Sequence, residues 1–285
     1  MTAEQIIDFV SGNYFVIVVS MFVLFMVAEM LLPMTRQQSP LGFRWLTNLG
    51  LTAINVLIIR LGAPAIAVVS ALAAQYLGLG LFMQFELGLP LVLLLGLLIM
   101  DLKQYVFHWL MHRFDLLWRI HRVHHSDLDI DVTTGFRFHP LEAILNSLFN
   151  IVVIVFFGIA VEVILLRQLL VYFANFFSHS NLELPPRLDL YLKRVLVTPS
   201  MHHLHHALDK RAANSNLGTL FSFWDRMFGT YMGKHPEAAE AGGNAGLVYG
   251  LREHRDAGRL GFVPLMAMPF KSLAPDPGEV VPGRR

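Results

Sequence analysis

The chain predicts an all-α integral membrane protein, with about four to five transmembrane or re-entrant helices and a helical cap that carries histidines. Three observations lead there. Hydrophobic residues make up 55% of the 285 residues and charged residues 15%, against roughly 45–50% and about 25% in soluble domains. The mean hydropathy is +0.53. Apolar runs close to the ~20 residues a bilayer requires recur through the first two thirds of the chain, and histidines gather where those runs end.

The first run, Asn13 to Pro33, is nearly unbroken; preceded by Glu4 and Asp8 instead of Lys or Arg, it reads as a first crossing and not as a cleavable signal. A second, Leu46 to Leu72, is interrupted by Arg60, Gly62 and Pro64, which predicts one tilted or kinked span with a shorter segment continuing toward Phe82. The third, Gly88 to Phe107, leads directly into His108. After a polar, aromatic stretch to Glu142, the runs Ile144 to Val161 and Val163 to Phe177 are separated by little more than Glu162. That spacing predicts a tight helical hairpin ending at His179. Beyond Leu182 the chain is soluble in character, and after Pro236 its Gly, Ala and Pro content predicts a poorly ordered tail. The expected organisation is N-terminal membrane helices over 1–95, a histidine-bearing domain over 96–235 and a partly disordered tail over 236–285.

Lys and Arg orient these spans. Arg36, Arg44, Lys103, Arg113, Arg119, Arg122, Arg187, Lys193, Arg194, Lys210 and Arg211 fall beside the histidine segments, whereas the N-terminal segment and the connections near Gly80 and Glu162 have none. The positive-inside rule then puts the N-terminus outside and the histidines on the cytoplasmic face. The net charge of +1 and the lack of a basic tract imply no nucleic acid partner. With no cysteine, disulfides, Fe–S clusters and a thiol nucleophile are excluded, and a transition metal must be held by imidazole.

His108, His112, His121, His124 and His125 place five of the 13 histidines in 18 positions, where composition alone would put about one. The spacings are i, i+4 and then i, i+3, i+4, which bring side chains onto one helix face. The pattern returns at His202, His205 and His206. With His179 these make nine imidazoles, too many for one ion and about right for two with open positions. Imidazole suits iron, copper, nickel and zinc alike, so the donor type leaves the metal open. His139, before Pro140 at a helix start, and His203 are candidates for the metal or for a supporting role, whereas His235 and His254 read as ordinary histidines. In H-W-L-M-H, Trp109 stands where a zinc protease needs its glutamate, which argues against peptidase activity.

These boxes, H-x-x-x-H, H-x-x-H-H and a later H-x-x-H-H among paired spans, resemble the fatty acid hydroxylase (sterol desaturase) superfamily. R-F-H-P-L-E at 137–142, H-S-N at 179–181, T-P-S-M-H at 198–202, N-L-G at 216–218 and W-D-R-M-F-G-T at 224–230 add to the likeness, which covers about Met100 to Met232. Y-G-L-R-E at 249–253 and M-P-F at 268–270 look like the ending of bacterial members. The resemblance implies two non-haem iron ions, with zinc able to replace them in a purified sample, and dioxygen as co-substrate. It also implies a membrane lipid substrate (fatty acyl, sterol or related), probed at an unactivated C–H bond. With no cytochrome domain in this chain, the implied electron donor is external, a ferredoxin or a b-type cytochrome with a flavoprotein reductase. One departure stands out: the fatty-acid 2-hydroxylase branch has an additional H-x-x-x-H where this chain has Asn175-F-F-S-His179, and an amide is a weaker donor. One metal is therefore expected to have the poorer shell. Asp101, Asp115, Asp127, Asp225 and Asn216 are candidates for supporting imidazole N–H groups.

Glu29, Arg60, Glu86, Glu162 and Arg167 fall in or beside apolar runs, where they could line a headgroup path; for Glu162 and Arg167, at a hairpin turn, reaching to the interface is the simpler account. Tyr172, Phe173, Phe176 and Phe177 form a stripe that would shape an acyl channel or pack against neighbouring helices. Hydroxylation leads the functional reading; desaturation by the same metal core and metal binding or transport without catalysis are the alternatives.

Overall fold

The computed structural model describes residues 3–60, 63–233 and 246–273. Among these the chain is helical, with only isolated β-bridges. The long helices are α1 (Ala3–Leu31), α2 (Leu41–Arg60), α3 (Ala63–Tyr76), α4 (Leu89–Arg113), α6 (Pro140–Phe157) and α7 (Val161–His179), with α5 (Asp115–His125) between α4 and α6. Short helices follow: α8 (Pro186–Leu192), α9 (Pro199–His205), α10 (Lys210–Ala213), α11 (Phe223–Met227) and α12 (Phe262–Ala267). Five stretches are long and apolar enough to cross a membrane: Gly12–Leu31, Ala67–Gln84, Leu89–Arg113, Pro140–Phe157 and Val161–His179. The chain is an integral membrane protein.

The second of these begins inside the expected Leu46–Leu72 run and continues past Phe82; that run is divided between α2 and α3. A polar stripe marks α2. Arg44 bonds Asp127 (2.8 Å) and Asp131 (3.0 Å), Asn48 donates to Thr133 Oγ1, and Asn55 donates to the Phe138 carbonyl. These bonds tie α2 to the histidine-bearing segments. The Arg60 side chain lies outside the described residues.

The bundle has two distinct ends. At one, Gly80 packs so closely on Gly158 that a Cβ on Gly80 would fall 2.3 Å from its neighbour's Cα. Gly158 caps α6 in the left-handed region (φ 69°), which makes the α6–α7 hairpin tight. Beside it Phe82, Met100, Ile154, Ile159 and Val163 form an apolar core. At the other end α4 and α7 finish and α6 begins. There the Glu29 carboxylate accepts from the backbone N–H groups of Val132 and Asn181 (3.0 and 2.9 Å), stapling α1 to the exit of α7. Glu29 is thus a structural staple and lines no headgroup path.

Residues 246–273, within the tail expected to be partly disordered, are folded. Leu251, Leu260, Leu265 and Met268 are buried with Leu51 of α2 and Val123 of α5. The buried Arg122 donates to the carbonyls of Met268 (2.6 Å) and Lys271 (2.7 Å), clamping this segment over α5. The stretches 236–245 and 274–285, and His235, lie outside the described residues.

Candidate metal centre

The last two turns of α4 carry His108 and His112. Phe114, in an extended conformation (φ −114°, ψ 125°), breaks the helix and starts α5, which returns His121, His124 and His125 toward them. His179 ends α7, and α9 brings His202 and His205, with His206 at its C-terminal cap. The nine imidazoles meet in two groups, each with one potential donor atom per residue within 4.8 Å of every other: His108, His112, His121, His125 and His205 in the first; His124, His179, His202 and His206 in the second. Eight are buried and His112 is half-buried. The groups share a wall, where His125 and His206 stack with ring centroids 4.5 Å apart.

Helix geometry explains the division. Successive residues are turned by about 100°, so i and i+4 stay together while i+3 diverges. In α5 the i, i+4 pair His121/His125 faces the first group and His124 the second; in α9 His202/His206 face the second and His205 the first.

The outer nitrogens fix the inner ones. Nδ1 of His108 bonds the Leu217 carbonyl (2.9 Å), Nδ1 of His205 the Ser215 carbonyl (2.9 Å) and Nδ1 of His179 the Asn175 carbonyl (2.8 Å); Nδ1 of His121 donates to Glu142 Oε1 (3.0 Å). A carbonyl or carboxylate only accepts, so in the neutral rings these Nδ1 atoms carry the proton and Nε2 is a bare lone pair. Yet His108 Nε2 and His121 Nε2 lie 3.1 Å apart. Two facing lone pairs repel unless a cation stands between them. Nε2 of His112, His125 and His205 are likewise buried without a partner among the described residues. The donor set fits a metal ion.

Electrostatics agree outside the spanning segments. Burial first, and then the neighbouring rings, hold His124, His125, His202 and His206 well below the ordinary imidazole range, and His205 at about 3. At neutral pH these rings are uncharged and free to donate.

The other candidate residues fall elsewhere. His139 caps α6, accepting from the Leu141 N–H and donating to the Met266 carbonyl. His203 points away from both groups, to Ser180 O and the Tyr249 hydroxyl. The Asn175 amide donates to Gly135 O, and only its carbonyl touches His179. Asp225 accepts from Leu217 N (2.6 Å), Gly218 N (2.9 Å) and Thr230 Oγ1, so it holds the loop whose carbonyls orient His108 and His205. Asn216, in the left-handed region (φ 53°), latches that loop to Met201 O and Met232. Asp101 accepts from Trp224 Nε1, and Asp127 binds Arg44; neither reaches an imidazole, and Asp115 is exposed. The Phe173, Phe176 and Phe177 rings pack edge-on or tilted against Phe22 and Phe25 of α1, so the stripe is helix packing. Sequence reasoning missed Glu142. Its signal was the acid closing R-F-H-P-L-E, one residue type that can hold an imidazole N–H.

Residues 93–230 match the family described as Fatty acid hydroxylase. The chain is 28% identical to alkylglycerol monooxygenase of Homo sapiens over 153 residues, 53% of this chain and 31% of that protein. It is 29% identical to ornithine lipid hydroxylase OlsE of Rhizobium tropici over 138 residues (48% and 40%), and 30% identical to alkylglycerol monooxygenase of Danio rerio over 139 residues (48% and 30%). The chain thus spans well under half the length of these relatives. No solved structure matches it.

Proposed function

The chain belongs to the fatty acid hydroxylase family through residues 93–230, and on that premise we propose that it is a membrane-bound di-iron oxygenase that hydroxylates a C–H bond of a lipid. The balance is one lipid C–H, one dioxygen, two electrons and two protons giving one lipid alcohol and one water. The observation that carries this reading is the pair of imidazole groups with inward lone pairs at one end of a membrane bundle. His108, His112, His121, His125 and His205 would hold one ion, and His124, His179, His202 and His206 the other. Iron bound there would supply dioxygen activation, which no side chain of this protein can perform alone.

The remaining work falls to the chain's own residues. Glu142 and the carbonyls of Asn175, Ser215 and Leu217 keep Nδ1 protonated and Nε2 aimed inward. Asp225 keeps the 215–218 loop in register. Arg122 and the folded 246–273 segment cover α5 and keep bulk water from the rings. The charge distribution supports a cytoplasmic active site; this reading puts it in a bacterial inner membrane, with membrane helices over 1–95 and the catalytic region over 96–235. The electron donor in this reading is a separate redox protein, a ferredoxin or b-type cytochrome with a flavoprotein reductase; without cysteine the chain itself cannot hold an Fe–S cluster.

Purified protein given iron, lipid extract, dioxygen and a reductant tests this. Two irons per chain and a product heavier by one oxygen atom are expected. A product lighter by two hydrogens replaces hydroxylation with desaturation, and metal without turnover removes the enzymatic reading.

A further inference from the structure

A second polar cluster lies inside the bundle between α4, α6 and α7, and it holds two cations. Lys103 is 4% exposed; its Nζ donates to Asn146 Oδ1 and to Gln104 Oε1 (3.3 Å), and lies 5.0 and 5.3 Å over the Phe107 and Phe149 rings. Arg167 Nη2 donates to the same Gln104 Oε1 (3.2 Å), so this side chain turns into the bundle instead of reaching the interface. Its Nε is buried with no hydrogen-bond partner, as is Asn150 Oδ1. Among the described residues neither cation forms an ion pair. Asp101, on the same stretch of α4, attracts Arg167 from beyond ion-pair distance, but its oxygens are engaged by Trp224 Nε1, Leu220 N and Phe221 N.

The cluster is continuous with the first imidazole group. Glu142, Asn146 and Asn150 recur every four residues and so share one face of α6. The first of them holds His121 and the second holds Lys103. Lys103 precedes His108 by five residues of α4, about 7.5 Å at the helical rise. Gln104, Asn146, Asn150 and Arg167 are half-buried, so the cluster opens between helices toward hydrocarbon.

Charges in spanning segments are rare, and a buried charge without a partner is strongly destabilising. Asp101 offsets only part of the guanidinium's charge from a distance, three amides carry none, and a lysine this buried keeps its proton only with a negative group beside it. The missing component is a group with negative charge and several acceptor oxygens, arriving from the bilayer. We propose that Lys103 and Arg167 form an intramembrane site for the anionic oxygen group, carboxylate or phosphate, of a lipid, with Gln104, Asn146 and Asn150 as its polar walls. The proposal rests on the hydroxylase reading and narrows it: the substrate is an anionic lipid, seated so that a carbon near its anionic group lies beside the first imidazole group.

The test is equilibrium binding to the purified full-length protein in uncharged detergent, at a pH where fatty acids are ionised. The probes share one acyl chain: oleate, oleoyl lysophosphatidate and uncharged monoolein. One or both anionic probes should bind at least about tenfold tighter than monoolein, the carboxylate and phosphate arms identifying the source. Lys103→Met and Arg167→Gln should remove that preference and Lys103→Arg retain it, with metal content unchanged. Equal affinity for all three probes, which needs no variant to measure, overturns the proposal, as does a preference that survives both neutralising substitutions. Binding is read on metal-free protein as well, so failure to hold two metals would sink the hydroxylase reading separately.

Discussion

The two imidazole groups are not equivalent. The first has five rings, and three of them (His108, His121 and His205) have Nδ1 anchored by Leu217 O, Glu142 and Ser215 O. The second has four rings. Only His179 is anchored, by the Asn175 carbonyl, while Nδ1 of His124, His202 and His206 has no partner among the described residues. Outer hydrogen bonds typically contribute 10–100-fold in metal affinity. The first group should therefore hold its ion more tightly. The poorer shell falls in the group of His179, and its cause is the three unanchored Nδ1 atoms, since the Asn175 carbonyl supplies the one anchor found there.

The comparison breaks most sharply at a shared wall. His205→Ala removes a ring of the first group from the helix that serves both. Four rings remain there, as many as the second group has, so the first ion should still bind when metal is in excess but with its affinity, and turnover with it, lowered by more than about 100-fold, beyond the loss expected of an outer-shell change, while the second ion is unaffected. A chelator titration of the purified variant reads the two ions separately. Equal weakening of both would show that the groups do not divide as the geometry divides them.

Glu142→Gln probes anchoring without deleting a donor. The amide can still accept from His121 Nδ1, but it loses the charge. A 10–100-fold weakening of one metal only, the first group's, is expected in a competitive chelator titration. Equal weakening of both ions would mean that the groups behave as one unit.

How much of this was legible follows from which atoms do the work. Side chains at helical spacing announce themselves, so the nine imidazoles and their common end of the bundle could be read from positions 108 to 206. The anchors could not: the carbonyls of Asn175, Ser215 and Leu217 belong to backbone, and every residue has one. Glu142 was visible but unassigned, because its partner His121 lies across a loop. Two features escaped for a different reason. Hydropathy averaged over Leu46–Leu72 hid the polar positions 48 and 55, which with Arg44 just before that run tie α2 to the histidine segments. Composition averaged over the tail hid Leu251, Leu260, Leu265 and Met268, four buried apolar residues in a Gly/Ala/Pro-rich stretch.

The scaffold beneath the rings can be separated from the rings by acid. Burial would raise the Asp127 carboxyl, but the Arg44 and Arg137 guanidinium groups outweigh it and bring it down to about 2. A folded-state value below the unfolded one stabilises the protein above the unfolded pKa, near 4, and that contribution is lost as pH falls toward 2. The shift corresponds to roughly 2 kcal/mol. Denaturation of metal-free protein across this window should steepen with acid, and Asp127→Asn should flatten the dependence between pH 4 and 2 while lowering stability at pH 7. An unchanged profile would remove Asp127 from the scaffold's acid response.

The smallest effect is the most diagnostic for the weak centre. Asn175→Ala deletes the amide that donates to Gly135 O but keeps the carbonyl that anchors His179. A single net hydrogen bond contributes about 1 kcal/mol, so a modest loss of stability is expected, with the second ion still bound. Were the Asn175 amide oxygen itself a donor to that ion, as its place in the box would allow, the same substitution would release the second ion and leave the first. A chelator titration of the variant distinguishes the two, because the carbonyl's contribution to His179 is common to both and cancels.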